Sequence, residues 1–310
     1  MSDWTAGYVA DVGYTFGVYP ELNPQRIQLA FLMAGLVPPQ NGTACELGFG
    51  QGMSVNIHAA ASVTEWHGTD FNPSQAAFAR ELADASGANA HLNDQSFAEF
   101  CSRDDLPEFD FIGLHGIFSW ISDENRHIIV DFTRRKLKVG GVLYISYNTQ
   151  PGWAPMAPVR DLLTEHASVM GAAGSGSLAR VDQSFGFVDR LFATNPLFLR
   201  ANPNAKTSFD KAKAQNPAYL AHEYFNRDWV PIAFSRMVKW LEPAKLSFAC
   251  SAYYLDHIDA VNLTPEQQQL LAEVGDAQFA QTVRDFMVNQ TFRRDYWVRG
   301  ARRISALDQD

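Results

Sequence analysis

Cysteine is scarce in this chain. The three among 310 residues, Cys45, Cys101 and Cys250, are far apart and odd in number. That argues against a disulfide framework or a thiolate zinc site and suits a reducing compartment. Long apolar runs are also missing; none approaches the roughly 18 residues a membrane span requires. The opening Met1-Ser2-Asp3-Trp4 has no basic stretch followed by an apolar one, so a cytoplasmic location with no membrane partner is expected. Positive charge is in deficit, with 25 Lys and Arg against 34 Asp and Glu and a formal net charge of −9. Nucleic-acid binding needs a concentrated positive face, so no such partner is expected, and Arg293-Arg294 and Arg302-Arg303 are assigned to solvated surface. The eight histidines show neither H-E-x-x-H nor another ligand spacing, and no metal site is expected. No internal repeat is visible.

What is present describes an ordinary globular chain, 46% hydrophobic and 19% charged, long enough for one large domain or two smaller ones. Its organising stretch is Thr43 to Ser54. An apolar lead-in ending at Glu46-Leu47 meets Gly48, Gly50 and Gly52, and a helical pattern follows. This is a strand, a tight turn and a helix N-terminus, where glycine lets the backbone approach a ligand closely. A dinucleotide fingerprint G-x-G-x-x-G would need glycine at Met53; the pattern here is E-x-G-x-G-x-G. The next strand, Glu65 to Asp70, ends in an acid 20 positions after Gly50, where doubly wound folds place a ribose-gripping carboxylate. Asn72-Pro73 then opens a helix. Ala90 to Gln95 is a third element, with Asp94 near its end.

Further strands are predicted at Phe109–Leu114 and, introduced by Gly140-Gly141, at Val142–Tyr147. Helices are predicted between them, including Glu124–Lys136. Such alternation predicts a right-handed, parallel α/β sheet. From Asn148 the pattern becomes helical, with a Gly/Ala/Ser linker at Gly171–Ser177, until strands at Lys245–Ser251 and Phe292–Val298. The expected architecture is Rossmann-like, a seven-stranded, mostly parallel sheet with flanking helices. Residues 1–150 and 236–310 form its core, and 151–235 form a helical insertion between strands five and six.

These motifs resemble the class I S-adenosylmethionine-dependent methyltransferases. Their first motif matches Glu46 to Gly52, their ribose-binding acid matches Asp70, and the acid beside the adenine matches Asp94. Tyr19-Pro20-Glu21, His115 to Trp120, Ser146 to Trp153, His222-Glu223-Tyr224 and Arg284-Asp285-Phe286 are similar to the bacterial members that carry a methyltransferase regulatory domain. The best-understood of those are protein-lysine methyltransferases acting on outer-membrane proteins, and they are commonly longer than this chain. The resemblance implies S-adenosylmethionine as cofactor, S-adenosylhomocysteine as product, and an acceptor protein or small molecule as partner. A protein lysine is the acceptor expected first. A small-molecule N- or O-methyltransferase, or a non-catalytic S-adenosylmethionine-binding relative, is the alternative. The amino-methyltransferases of DNA bases are excluded by His115-Gly116-Ile117-Phe118 where they carry a proline pair. Cytosine methylation is excluded by the lack of a preceding cysteine nucleophile. A nicotinamide oxidoreductase is disfavoured by Met53.

By the same resemblance, Tyr19, Glu46, Gly48, Gly50, Gly52, Asp70, Phe71, Asp94, Gln95, His115 and Gly116 hold the cofactor. Tyr14, Trp120, Asn148, Trp153 and Glu223 are candidates for the acceptor side, and His115, Tyr147 and His222 for catalysis. Each has an alternative. His115 serves equally as a hydrogen-bonded strand-end histidine, the aromatics as core packing, and His222-Glu223 as a helix cap or surface pair. Tyr14 and Tyr19 serve equally as a lid over the cofactor or as packing. A wide acidic cleft would favour a protein acceptor, and an enclosed aromatic pocket a small molecule.

Overall fold

The computed structural model describes residues 5, 7–13, 16–171 and 175–305. Its strands are β1 (Thr43–Leu47), β2 (Glu65–Thr69), β3 (Ala90–Asn93), β4 (Phe109–Leu114), β5 (Leu137–Asn148), β6 (Leu246–Ser251) and β7 (Phe292–Arg299). They form one sheet in the order β3-β2-β1-β4-β5-β7-β6. The first five pair in parallel, whereas β7 lies antiparallel between β5 and β6. The expected seven-stranded, mostly parallel α/β sheet is therefore what forms. β4 is buried along its whole length, as an apolar central parallel strand should be.

The helices are α1 (Pro24–Met33), α2 (Met53–Ala60), α3 (Pro73–Ser86), α4 (Phe97–Cys101), α5 (Asp123–Lys136), α6 (Ala157–Val169) and α7 (Ser177–Ala193). There follow α8 (Leu197–Ala201), α9 (Pro203–Lys213), α10 (Pro217–Tyr224), α11 (Phe234–Leu241), α12 (Asp259–Asn262), α13 (Pro265–Glu273) and α14 (Ala277–Met287). Their starts are written in the sequence. Asn23, Asn72, Ser96 and Ser122 each accept a hydrogen bond from a first-turn N–H, and proline at the first position of α1 and α3 has no N–H to leave unpaired. Helices α1, α2 and α3 bury Ile27, Phe31, Val55 and Ala79 on one face of the sheet. Helices α4, α5 and α11 bury Phe100, Phe132, Met237 and Leu241 on the other. Helices α6, α7, α9 and α10 build a third apolar cluster around Leu163, Val188, Phe209 and Tyr224, into which Val9 of the N-terminal segment also packs.

One strand differs from expectation. β5 begins at Leu137, before the glycine pair that was expected to introduce it. The register with β4 shifts between Phe109 and Phe111, and Gly140 takes φ +85°. Glycine permits a bulge inside the strand, so the pair marks an irregularity and not a boundary. No helix among the described residues is long and apolar enough to cross a membrane.

Candidate functional site

The carboxyl ends of β1, β2 and β4 meet where a doubly wound sheet leaves its crevice. Gly48 and Gly50 turn the chain there with φ of +73° and +59°, and the Gly48 N–H donates to the Thr69 carbonyl at 2.8 Å. Asp70 is the centre of the turn. Its two oxygens accept from the Gly50 N–H at 2.8 Å and the Asn72 N–H at 3.0 Å. Burial nevertheless pushes its carboxyl up to about 6, despite these two donors. Glu46 stands at the end of β1 with Oε2 shielded from solvent and lacking a hydrogen-bond partner. Burial, then the neighbouring Asp70, holds its pKa well above the usual carboxylate range. The pair is a buried acidic floor suited to a cationic ligand.

A cavity of about 180 Å³ lies over this floor. Its lining includes Tyr19, Glu46, Gly48, Gly50, Asp70, Phe71, Gln95, His115 and Gly116 from the expected cofactor set. Two members of that set lie elsewhere. Gly52 caps α2 in the left-handed region (φ +71°), and a Cβ there would stand 2.4 Å from the Ala79 Cβ; its smallness lets α2 approach α3. Asp94 is exposed and turns to Arg80 at 3.4 Å, leaving Gln95 to face the cavity.

A second cavity, of about 880 Å³, adjoins the first. Tyr8, Tyr19, His115, Gly116 and Trp120 line both, so the two chambers share a wall. Tyr19 stacks on His115 with ring centroids 3.7 Å apart and is tied to α2 by its N–H donating to Ser54 Oγ at 2.8 Å. His115 Nδ1 lies 2.8 Å from the Tyr144 hydroxyl. Burial, then the Arg294 charge, lowers its pKa to about 3, so the ring is neutral at physiological pH. Gly116 (φ +64°) donates its N–H to Ser146 Oγ at 2.8 Å. These bonds place the shared wall on the ends of β4 and β5.

The far side of the larger chamber is made by α10. Glu223 accepts a hydrogen bond from Asn148 Nδ2 at 3.2 Å, and the indole N–H of Trp120 donates to the Glu223 carbonyl at 3.2 Å. Burial pushes the Glu223 carboxyl up to about 7, opposed by hydrogen bonds from Asn148 and Tyr219. Trp153 completes this side, edge-on to Trp229 at 5.1 Å. Trp120, Asn148, Trp153 and Glu223, the described acceptor-side candidates, thus line one chamber. His222 also lines this chamber, but it is buried and its Nε2 lies 3.1 Å from the Val12 carbonyl. It and Glu223 are neither a helix cap nor a surface pair, because α10 begins at Pro217 and turns both inward.

Tyr147 is a correction. Its ring is fully buried on the other face of β5, and its hydroxyl donates to Asp295 at 2.7 Å. Asp295 is held in turn by Arg293 at 2.8 Å, and Arg293 by Asp285 of α14 at 2.5 Å. Side chains alternate along a strand, so the tyrosine that reaches His115 is Tyr144. Tyr14 lies outside the described residues. Among the described residues, Tyr8 joins Tyr19 as an N-terminal aromatic over the site, edge-on to Phe71 at 5.7 Å and 5.6 Å from the His222 ring. Tyr8, Tyr144 and Tyr219 are the site residues that sequence reasoning missed.

Solved structures with this fold exist. PKMT2 from Rickettsia typhi in complex with AdoHcy superposes with a TM-score of 0.75 over 92% of this chain and 54% of that one, at 20% identity. The chain has the methyltransferase fold. Residues 216–299, from α10 to the end of β7, match the family described as "Predicted methyltransferase regulatory domain", in keeping with the resemblance drawn from the motifs. An uncharacterized protein of Synechocystis sp. (strain ATCC 27184 / PCC 6803 / Kazusa) is 43% identical over 99% of this chain and 60% of its own length. One from Rickettsia prowazekii (strain Madrid E) is 26% identical over 91% of this chain and 51% of its own. The chain thus spans roughly half to three-fifths of the curated relatives it matches. Within this methyltransferase fold, the Glu46–Asp70 floor and the Gly48 turn fit a cofactor that carries an ammonium group and a ribose.

Proposed function

We propose that this chain is an S-adenosylmethionine-dependent methyltransferase whose acceptor is an amine, with a protein lysine side chain the acceptor favoured first. The observation that carries the reading is the shared wall: a small acidic chamber on the glycine turn adjoins, across Tyr19, His115 and Trp120, a larger chamber that Glu223 also lines. In this reading Glu46, with its unpartnered Oε2, receives the amino group of the cofactor, and Asp70 receives the ribose hydroxyls. The bound cofactor supplies an electrophilic methyl group. The chain's own task is then positioning, which contributes much of the acceleration when two reactants are held in line. Neutral His115, fixed by Tyr144 and covered by Tyr19, forms an uncharged passage between the chambers. Glu223, held near neutrality, takes the proton that an ammonium acceptor must lose before its lone pair can attack. The aromatic walls from Trp120 and Trp153 exclude water around that amine. A lysine acceptor is supported by the match of a carboxylate and aromatic rings to an ammonium on an apolar stem. The size of the larger chamber and the sequence resemblance support it as well.

The test is calorimetric titration of the chain with S-adenosylmethionine and with S-adenosylhomocysteine, beside Asp70→Ala. Micromolar binding, on the order of −8 kcal/mol, that collapses in the variant is the expected result. Absence of binding to either ligand would overturn the reading. Lysine-bearing proteins and free amines, offered with labelled cofactor, then separate a protein acceptor from a small molecule.

A further inference from the structure

A cluster at the edge of the sheet is used by none of this chemistry. Glu65 and His67 are two apart on β2 and so face the same side of the sheet, and His91 of β3 stands in register opposite His67. The three side chains converge. Glu65 Oε1 lies 3.3 Å from His67 Nε2 and 3.2 Å from His91 Nε2, and the three ligating atoms all fall within 4.8 Å of one another. Nitrogen and oxygen ligands bound at about 2.0–2.1 Å in a tetrahedron stand roughly 3.3 Å apart, which is the separation found on two of the three edges. His67 Nε2 is shielded from solvent and forms no sound hydrogen bond, although a carboxylate is so near. The inner side is closed by Phe109, edge-on to His67 at 5.6 Å. The outer side is open, with His91 55% and Glu65 42% exposed. Arg103, whose charge reaches His67, is neutralised by Asp105 at 2.6 Å.

We propose that Glu65, His67 and His91 bind a first-row divalent transition metal, zinc foremost, that ties the edge strand β3 to β2. Two imidazoles and one carboxylate are a donor set these ions take readily, with the remaining position left to water on the open side. The site sits at the start of β2, whereas Asp70 follows its end. It is therefore a staple on the scaffold and not part of the transfer chemistry. Its reach toward function is mechanical, because β3 leads directly to Gln95 in the cofactor chamber.

The experiment titrates Zn²⁺ alone into the full chain, follows thermal unfolding with and without the metal, and repeats both for His91→Ala, Glu65→Gln and His67→Ala. Co²⁺ provides an optical readout of tetrahedral nitrogen and oxygen ligation. The expected result is one ion per chain at micromolar or tighter affinity, with a raised Tm. His91→Ala should weaken binding at least tenfold and leave the metal-free Tm and the S-adenosylhomocysteine titration unchanged. His67 is largely buried, so if His67→Ala fails to fold, the two exposed positions carry the test. No stoichiometric zinc binding, or binding in His91→Ala equal to that of the native chain, would overturn the proposal.

Discussion

In the proposed chemistry, the pH dependence of methyl transfer rests on Glu223. Its carboxyl is raised to about 7, first by burial, so it is protonated in acid and ionised above neutrality. A base must be ionised to accept a proton, so methyl transfer should increase as pH rises through about 7. Glu223→Gln should remove that step and lower kcat by about a hundredfold. The Tyr219 hydrogen bond favours the ionised form, so Tyr219→Phe should move the step to higher pH while retaining most of the rate. Initial rates against pH for the three proteins check this. Retention of the native profile in Glu223→Gln would remove Glu223 from the chemistry. At this scale the sequence was legible where a motif fixes both position and direction, as at Glu46 and Asp70. It was not legible at Tyr147. Residues 142–148 of β5 are buried without a break, so no polar alternation shows which face each tyrosine takes. His222 lay in the right place, but its ring is engaged with the Val12 carbonyl, a contact 210 residues away in sequence that no spacing could show.

Among the elements, the α2–α3 pair gives the sharpest mechanical prediction. Gly52→Ala puts a Cβ 2.4 Å from that of Ala79 and forces alanine into the left-handed region. The conformational cost and the overpacking together come to about 2–4 kcal/mol, readable in urea denaturation. Gly48→Ala carries the same left-handed strain (φ +73°) but meets only the movable end of Ile117, at 2.5 Å, inside the cofactor chamber. It should cost the fold less than Gly52→Ala and cofactor binding more, so the two alanines separate the structural glycine from the ligand-facing one. Equal losses of affinity in both would sink that division. The helix starts were legible because asparagine, serine and proline act locally. The Glu65, His67 and His91 cluster was not, because it exists only once β2 and β3 pair with His67 opposite His91. The expected absence of a metal site rested on spacing within one segment, which a cross-strand cluster does not have.

For the whole molecule, the acidic floor means that the fold is not at its most stable when empty. Asp70, raised from 3.8 to about 6, holds its proton more tightly folded than unfolded. The stability this gives is full below pH 3.8 and is lost as pH rises through about 6. At neutral pH a cationic ligand offsets that loss. S-adenosylhomocysteine at a fixed concentration, a hundred times its Kd at pH 7, should add about 2.7 kcal/mol there, seen as a raised Tm, and at that concentration the gain should be larger at pH 8 than at pH 5. A gain independent of pH would count against Glu46 and Asp70 as the ligand's anchors. The seven-stranded, mostly parallel α/β class was legible at this scale because alternating strands and helices leave few topologies. The placement of β7 between β5 and β6 was not, since its pairing joins residues far apart in sequence, such as Val142 and Val298.

The common wall of Tyr19, His115 and Trp120 has a kinetic consequence. Neither reactant has a private surface there, so a smaller side chain at Tyr19 enlarges both compartments at once. Steady-state measurements on Tyr19→Ala should therefore show the Michaelis constants for donor and acceptor changing together. By the same logic, the two substrates should bind with mutual dependence, each one's affinity set by whether the other is already seated against the partition.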